Sequence, residues 1–196
     1  MKKLIRFLLI IILILSLLII YARYGGTRGL ITKEYQIETT IDDSFDGLKI
    51  VHFSDLHYLR ITNKETTQSI IEEINLLNPD IVVFTGDLID KDYKPNDKDI
   101  SNLKELLTSI KSKYGKYSVL GEHDIKVEDT IKDIYISSNF TLLDNSYDVI
   151  YGNNNNKLFI GGLSNNPDID KVMNYFTENE DINYKIILVH EPDYID

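Results

Sequence analysis

Asp55 and His57 form a pair of residues that could bind a metal ion. They stand two positions apart, directly after the largely apolar run Leu48–Phe53, which has the composition of a short buried strand. One residue offers a carboxylate oxygen and the other an imidazole nitrogen, a mixture of ligands that suits a borderline divalent cation. Taken alone, the pair also fits an ordinary surface turn, because Asp-x-His is a short and common pattern.

The same arrangement recurs further along the chain, where three more apolar runs end directly before residues of metal-ligating type. These runs, with the residues that follow them, are Ile81–Phe84 with Asp87, Tyr117–Leu120 with Glu122 and His123, and Lys185–Val189 with His190. In open α/β sheets the ligand crevice lies outside the carboxyl ends of the strands, so we expect these side chains to converge at one sheet edge. Each residue also has a simpler interpretation. Asp87 could cap a helix, Glu122 could be a solvated turn residue, and His52 is interpreted as a strand residue rather than a ligand.

The segments between these runs have the periodicity of helices. One helix is predicted from Thr62 or Asn63 to Leu77, and another over Asp99–Ser112, because apolar side chains recur there at helical spacing. Alternation of strands and helices at this spacing implies parallel strands, whose polar tips all reach the same edge. The other predicted elements are an early strand over Ile31–Thr40, a helix over residues 127–135, strands over Thr141–Leu143, Tyr147–Tyr151 and Leu158–Gly161, and a helix over Ile169–Phe176.

Composition limits the classes of function. The 196 residues suffice for one domain with a sizeable core, and the chain has no cysteine, which excludes disulfides, a thiol nucleophile and cysteine-based zinc sites. Residues 31–196 contain 16 basic and 31 acidic residues, a net charge of −15. Such an acidic body argues against nucleic acid as a partner, because phosphate contacts require clustered Lys and Arg.

The N-terminal segment has the character of a membrane span. Residues 7–22 are almost entirely apolar and follow a basic segment, residues 1–6, that contains Lys2, Lys3 and Arg6. A cleaved signal peptide is the competing interpretation, but no small-x-small cleavage site follows the apolar run, so an uncleaved signal anchor is favoured. The positive-inside rule then predicts a single-pass protein of the cell membrane, with a cytoplasmic N-terminus and an extracytoplasmic body. We divide the rest of the chain into residues 23–45, a glycine-containing linker and first strand, and the main domain, residues 46–196.

Four blocks of sequence carry a resemblance to a known family. They are SDLH (Ser54–His57), TGDLID (Thr85–Asp90), GEHD (Gly121–Asp124) and VHEPD (Val189–Asp193). On these blocks the chain from about Leu48 onward resembles the calcineurin-like metallophosphoesterases, in particular their membrane-anchored bacterial branch. The resemblance implies a four-layer α/β/β/α sandwich, here preceded by one transmembrane helix. It also implies two divalent metal ions, commonly Mn, Fe or Zn, at the strand tips.

The resemblance further implies a role for each candidate residue. Asp55 and His57 would hold the first metal, Asp87 would bridge both metals, and His190 would hold the second. His123 would be the catalytic residue, placed beside the phosphate as a proton donor or as a stabiliser of the transition state. Glu122 stands where the family usually has Asn, and we interpret it as an altered metal ligand. The family also has a later Gly-His-x-His block that completes the metal sites, and these 196 residues contain none. We therefore expect a sandwich that is incomplete at its C-terminal end.

Together these implications form a functional hypothesis. The chain would be a membrane-anchored, dinuclear-metal-dependent phosphoesterase that acts on the outer side of the membrane. Its substrate would be a phosphate-containing small molecule or a lipid headgroup, as a phosphate ester or a pyrophosphate. The alternative is a truncated, catalytically inactive remnant of such an enzyme, or a module that only binds metal.

Overall fold

The computed structural model describes residues 2–24, 29–179, 182 and 184–195. The chain divides into two compact units, Met1–Glu38 and Thr39–Asp196. Two glycines of the expected flexible linker, Gly25 and Gly26, lie outside the described residues.

The first unit contains one long helix, α1, which spans Lys2–Tyr24. Its segment Lys2–Tyr21 has a mean hydropathy of 3.0 and is long and apolar enough to cross a membrane. At about 1.5 Å per residue these 20 residues measure about 30 Å, the thickness of the hydrocarbon core of a bilayer. The helix extends beyond the predicted span of residues 7–22, because the flanking Lys and Arg side chains are themselves good helix formers.

The early strand predicted over Ile31–Thr40 is wrong. Residues 29–42 form no regular secondary structure, and the apolar side chains Ile31, Tyr35 and Ile37 are exposed. A strand needs a neighbouring strand to take up its backbone hydrogen bonds, and none of the described strands pairs with this segment. The alternation of apolar residues was therefore insufficient evidence for a strand.

The second unit begins with an entirely parallel four-stranded sheet in the order β1-β2-β3-β4. Its strands alternate with helices, as predicted. Every residue of β2 is buried, as expected for a central strand covered on both faces. In chain order, the elements are β1 (Ile50–Phe53), α2 (Lys64–Leu76), β2 (Ile81–Phe84), α3 (Asp97–Thr108), β3 (Gly115–Ser118), α4 (Glu128–Ser137) and β4 (Phe140–Leu142).

A second sheet of three strands follows, in the order β5-β6-β7. Its first pair is antiparallel and forms the predicted hairpin, whereas the second pair is parallel. The elements are β5 (Ser146–Tyr151), β6 (Lys157–Gly162), α5 (Ile169–Glu178) and β7 (Tyr184–Leu188).

Three hydrophobic clusters define the layers. The first packs one face of the parallel sheet against α2, α3 and α4, the second lies between the two sheets, and the third packs α5 on the outer face of the second sheet. Phe84, Ile160 and Val172, all nearly inaccessible, represent the three clusters in that order. The α/β class and the α/β/β/α layering implied by the resemblance are confirmed.

Two predicted boundaries moved for local reasons. α3 begins at Asp97 rather than Asp99, because the Asn96 side chain caps it by accepting a hydrogen bond from the Asp99 amide at 3.0 Å. The third strand was predicted over Tyr117–Leu120 but is Gly115–Ser118. Its predicted last two residues, Val119 and Leu120, are buried but lie beyond the end of the strand, although the Val119 amide still donates to the Phe84 carbonyl oxygen at 3.1 Å.

Candidate metal centre

The loops that follow β1 and β2 hold three of the predicted ligands in fixed backbone positions. The amides of Asp55 and His57 donate to the carbonyl oxygens of Gly86 and Asp87, both at 3.0 Å, so the two loops remain paired beyond the ends of their strands. Asp55, His57 and Asp87 have φ angles of 53°, 39° and 59°. Non-glycine residues rarely adopt positive φ, and such strain is typical of functional sites held in place by their surroundings.

Two glycines bring the loop after β2 against the loop after β3. A Cβ atom added to Gly86, which has a φ of 98°, would lie 2.8 Å from the carbonyl carbon of Leu120 and still closer to Gly121. One added to Gly121 would lie 2.8 Å from Cγ of Asp87. These contacts leave no room for a side chain, so the backbones touch and bring Asp87 close to the loop that carries His123.

The side chains meet in two groups of potential ligands, and Asp87 belongs to both. The first consists of His57, Asp87 and His123, and the second of Asp55, Asp87 and His190. Within each group the ligand atoms lie within 4.8 Å of one another. Asp87 Oδ2 lies 3.4 Å from His57 Nε2, whereas Asp87 Oδ1 lies 3.7 Å from His190 Nε2. The two oxygens of one buried carboxylate therefore face histidines from different sheets.

The hydrogen bond of His190 determines which of its nitrogens is available. Its Nδ1 lies 2.7 Å from the carbonyl oxygen of Thr85, which can only accept, so Nδ1 carries the proton. Nε2 is then left with its lone pair on the side of Asp87. This arrangement is common among metal-binding histidines, where the carbonyl fixes both the tautomer and the ring orientation. His52 lies in β1, as predicted, and its Nε2 is 2.8 Å from the Thr85 hydroxyl rather than in either group.

Glu122 and His123 follow β3, but only His123 enters a described group. The Glu122 side chain is 56% exposed, and its Oε1 lies 3.2 Å from His123 Nε2. The His123 amide donates to Asp87 Oδ1 at 2.9 Å, and its ring packs edge-on against that of His57 with centroids 4.8 Å apart. His123 thus lies between the acidic cluster and an exposed carboxylate.

Asp90 has no role among the sequence predictions, although this residue belongs to the TGDLID block. Its buried carboxylate places Oδ2 3.6 Å from Nδ1 of both His57 and His123 and 3.3 Å from Nε of Arg60. The Asp92 amide donates to the other oxygen at 3.0 Å and, with help from Arg60, holds the pKa of Asp90 below its usual range. Asp90 is therefore an anion that faces the Nδ1 atoms of both imidazole rings. In the sequence, only its position three residues after the predicted ligand Asp87 could have indicated that Asp90 belongs to the centre.

Asp124 is the other residue of the centre that the sequence patterns did not single out. Its carboxylate is inaccessible to solvent and accepts hydrogen bonds from four backbone amides at 2.9 to 3.3 Å, those of Asp87, Leu88, Ile89 and Gly121. Burial raises the pKa of Asp124 to about 6, although the amide donors lower it, so the group is ionised at neutral pH. It ties the loop after β2 to the loop after β3. Its place at the end of the GEHD block was the only local clue.

The donor set fits a divalent cation. It combines carboxylate oxygens with imidazole nitrogens, the mixture favoured by Mn, Fe and Zn. Asp55 and Asp87 would repel each other without a positive charge between them, and the buried Nδ1 of His123, 4.0 Å from Asp87 Oδ2, has no hydrogen-bond partner. A cation bound by these residues would offset that repulsion.

Comparison with known proteins identifies the family. The model of the calcineurin-like phosphoesterase family matches residues 48–195, which contain all of the predicted site residues. The chain belongs to this family. The recognition made from the four sequence blocks is confirmed, and the chain is similar to other members over different lengths.

Three relatives illustrate this range. The uncharacterized metallophosphoesterase YkuE of Bacillus subtilis is 33% identical over 182 residues, which cover 88% of this chain and 61% of that protein. The transmembrane protein with metallophosphoesterase domain of Danio rerio is 33% identical over 45% of this chain and 20% of its own length. The UDP-2,3-diacylglucosamine pyrophosphatase LpxG of Chlamydia muridarum is 36% identical over 40% of this chain and 23% of its own length. The chain therefore spans about 61% of YkuE and a smaller share of the other two proteins.

Proposed function

We propose that the chain is a membrane-anchored phosphoesterase that uses two divalent metal ions to hydrolyse phosphate esters or pyrophosphates on the outer side of the membrane. One observation carries the proposal: Asp87 belongs to two groups of ligand atoms and turns one oxygen toward each of two histidines. Such a shared carboxylate suits a pair of metal ions. Membership of a phosphoesterase family supports the reaction class.

In this proposal Asp55, His57, Asp87 and His190 hold the metal ions, and Glu122 is a further ligand. The exposed side chain of Glu122 can turn from His123 toward the metal centre by rotation about its own bonds. The position of Glu122 in the GEHD block supports the assignment. Ions held there would supply positive charge that neutralises the phosphate and activates a water molecule for in-line attack. Mn, Fe and Zn all suit the donor set.

His123 is the proposed proton donor. The Asp90 carboxylate lies on its Nδ1 side, 3.6 Å away, while Nε2 points away from Asp90 toward Glu122. A proton on Nε2 is thus available to the leaving oxygen of a substrate. Acid–base assistance of this kind typically contributes about 10²–10⁴-fold to the rate.

Membrane anchoring is proposed on the basis of α1, which is long and apolar enough to span a bilayer. Residues 1–6 would be cytoplasmic, residues 7–22 would cross the membrane, and residues 46–196 would form an extracytoplasmic domain after the linker. A substrate within a lipid headgroup would be close to an anchored enzyme. The pyrophosphatase name of one relative supports a pyrophosphate as one candidate substrate.

The decisive experiment counts metal ions. The full chain in detergent, an Asp87→Asn variant and a control variant at the exposed residue Asp129 (Asp129→Asn) are dialysed against Mn, and bound ions are measured per chain. We expect about two ions in the parent and the control and a sharp loss in Asp87→Asn. Hydrolysis of p-nitrophenyl phosphate, its diester and a pyrophosphate diester is then compared. Metal binding without any hydrolysis would instead support a metal-binding module.

The absence of cysteine allows a direct test of topology. A single cysteine introduced by Lys64→Cys, at an exposed position, should react with a membrane-impermeant maleimide in intact cells. Labelling only after lysis would contradict an extracytoplasmic domain.

A further inference from the structure

Arg60 is the only arginine beyond residue 28, in a part of the chain that carries a large negative charge. It follows His57 by three residues and therefore lies beside the proposed metal centre. Guanidinium groups match the geometry of phosphate oxygens better than ammonium groups do, because they can donate two parallel hydrogen bonds. A single arginine at this place suggests recognition of an anion.

The backbone of Arg60 is fixed to that of His57. The amides of Arg60 and Ile61 both donate to the His57 carbonyl oxygen, at 3.0 and 2.9 Å, and the Leu59 amide donates to the Thr62 carbonyl oxygen at 2.6 Å. Leu59 has a φ of 66°, which keeps the turn tight. The side chain of Arg60 therefore starts from a defined position, and little conformational freedom of the backbone would be lost on binding a ligand.

The guanidinium group retains free donors. Its Nε lies 3.3 Å from Asp90 Oδ2, the side chain is 54% exposed, and Asp90 is the only acceptor that the described part of the chain offers it. An arginine has five N–H donors, so both terminal nitrogens remain available to a ligand. Of the lysines and arginines described, Arg60 alone is ion-paired with an acidic residue of the candidate centre and the loops that support it.

The geometry determines which part of a substrate Arg60 can meet. Asp90 lies on the Nδ1 side of His57, whereas Asp87 lies on the opposite, Nε2 side. Arg60 therefore approaches the His57 ring from its Nδ1 side. The width of this ring would separate Arg60 from a phosphoryl group bound at Asp87. The free guanidinium nitrogens would then meet the group attached to that phosphoryl group rather than the phosphoryl group itself.

We propose that Arg60 binds a second phosphoryl group of the substrate, next to the one that is hydrolysed, and so favours pyrophosphate linkages over simple monoesters. This inference rests on the proposed function. A purely structural role is the alternative, in which Arg60 only neutralises the buried carboxylate of Asp90. The two roles differ in their consequences, because neutralising Asp90 would affect every ligand of the centre equally.

The test measures binding rather than turnover. The full chain in detergent is loaded with Mn, unbound Mn is removed, and the affinities for methylphosphonate and methylenediphosphonate are measured by calorimetry. Neither compound has a P–O–P bond or an ester to cleave. Arg60→Gln and Arg60→Lys are compared with Lys64→Gln, which removes the same charge from an exposed position on α2.

We expect Arg60→Gln to weaken the binding of methylenediphosphonate by at least about tenfold, as for loss of a charged hydrogen bond. Its affinity for methylphosphonate and its Mn content should stay within about twofold of the parent. Arg60→Lys should be intermediate, and Lys64→Gln should match the parent. Equal loss for both phosphonates, or no loss for either, would overturn the role of Arg60 while the metal centre stands. A parent chain that binds neither Mn nor methylphosphonate would instead refute the proposed function, and this inference with it.

Discussion

Replacing Gly121 by alanine should separate the geometry of the metal centre from the stability of the fold. The new Cβ would lie 2.8 Å from Cγ of Asp87, and the neighbouring Oδ1 and amide nitrogen are closer still. An ordinary contact begins at 3.4 Å, so the Asp87 carboxylate must move by more than about 0.6 Å. Metal–ligand distances tolerate only about 0.2 Å, so this displacement would remove Asp87 from both groups of ligands.

The expected magnitudes follow from this clash. Crowding of a packed site costs about 1–3 kcal/mol of unfolding free energy. Disturbing even an outer partner of a metal ligand lowers metal affinity by about 10–100-fold, and displacing the shared ligand should cost at least as much. Both quantities can be measured on the full chain in detergent, by urea unfolding and by Mn binding in equilibrium dialysis.

Gly47→Ala is the matched control. Gly47 has a φ of 71°, and a Cβ added there would meet nothing within 4 Å. This variant should lose about 1–2 kcal/mol through backbone strain alone and bind Mn as the parent does. If Gly121→Ala also bound Mn with the parent's affinity, Asp87 could not be the shared ligand, and the reasoning from the two donor groups would be refuted.

Two further predictions concern the fold. Burial lowers the pKa of Lys116 to about 8 from its usual 10.5. Lys116→Met should therefore stabilise the protein at pH 7 by about 1–3 kcal/mol. The loss of the contacts of Lys116 with the Leu107 carbonyl and the Phe140 ring reduces this gain. Between pH 8 and 10.5 the native parent releases this proton while the unfolded chain keeps it. The parent's free energy of unfolding therefore rises with pH, and the difference from the variant, measured by urea unfolding, should be smaller at pH 10 than at pH 7. A difference that stays constant would contradict the buried charge. Asn63→Ala removes the cap of α2, which accepts from the Thr66 amide at 2.8 Å, and should cost about 1 kcal/mol. Asn174→Ala, at an exposed position within α5, is its control, and equal thermal shifts would argue against the capping role.

The sequence alone determined the parts of the protein that depend on short-range patterns. The alternation of apolar runs with helical periodicity predicted the parallel sheet, and the strand-then-ligand pattern located Asp55, His57, Asp87, His123 and His190 at strand tips. The apolar run near the N-terminus predicted α1. These features are local, because a strand, a helix or a loop motif is encoded by neighbouring residues.

Only the tertiary structure decided how the side chains are shared. Asp87 can turn its two oxygens to His57 and His190 because the two sheets pack together. Asp124 can bind four amides because Gly86 and Gly121 allow two loops to come into contact. The contacts of Asp87 with His57 and His190 join residues 30 and 103 positions apart, and no local pattern encodes them. The failed strand over Ile31–Thr40 has the same cause, since a strand requires a partner from elsewhere in the chain. Local composition thus located the chemical groups, and long-range packing determined which of them meet.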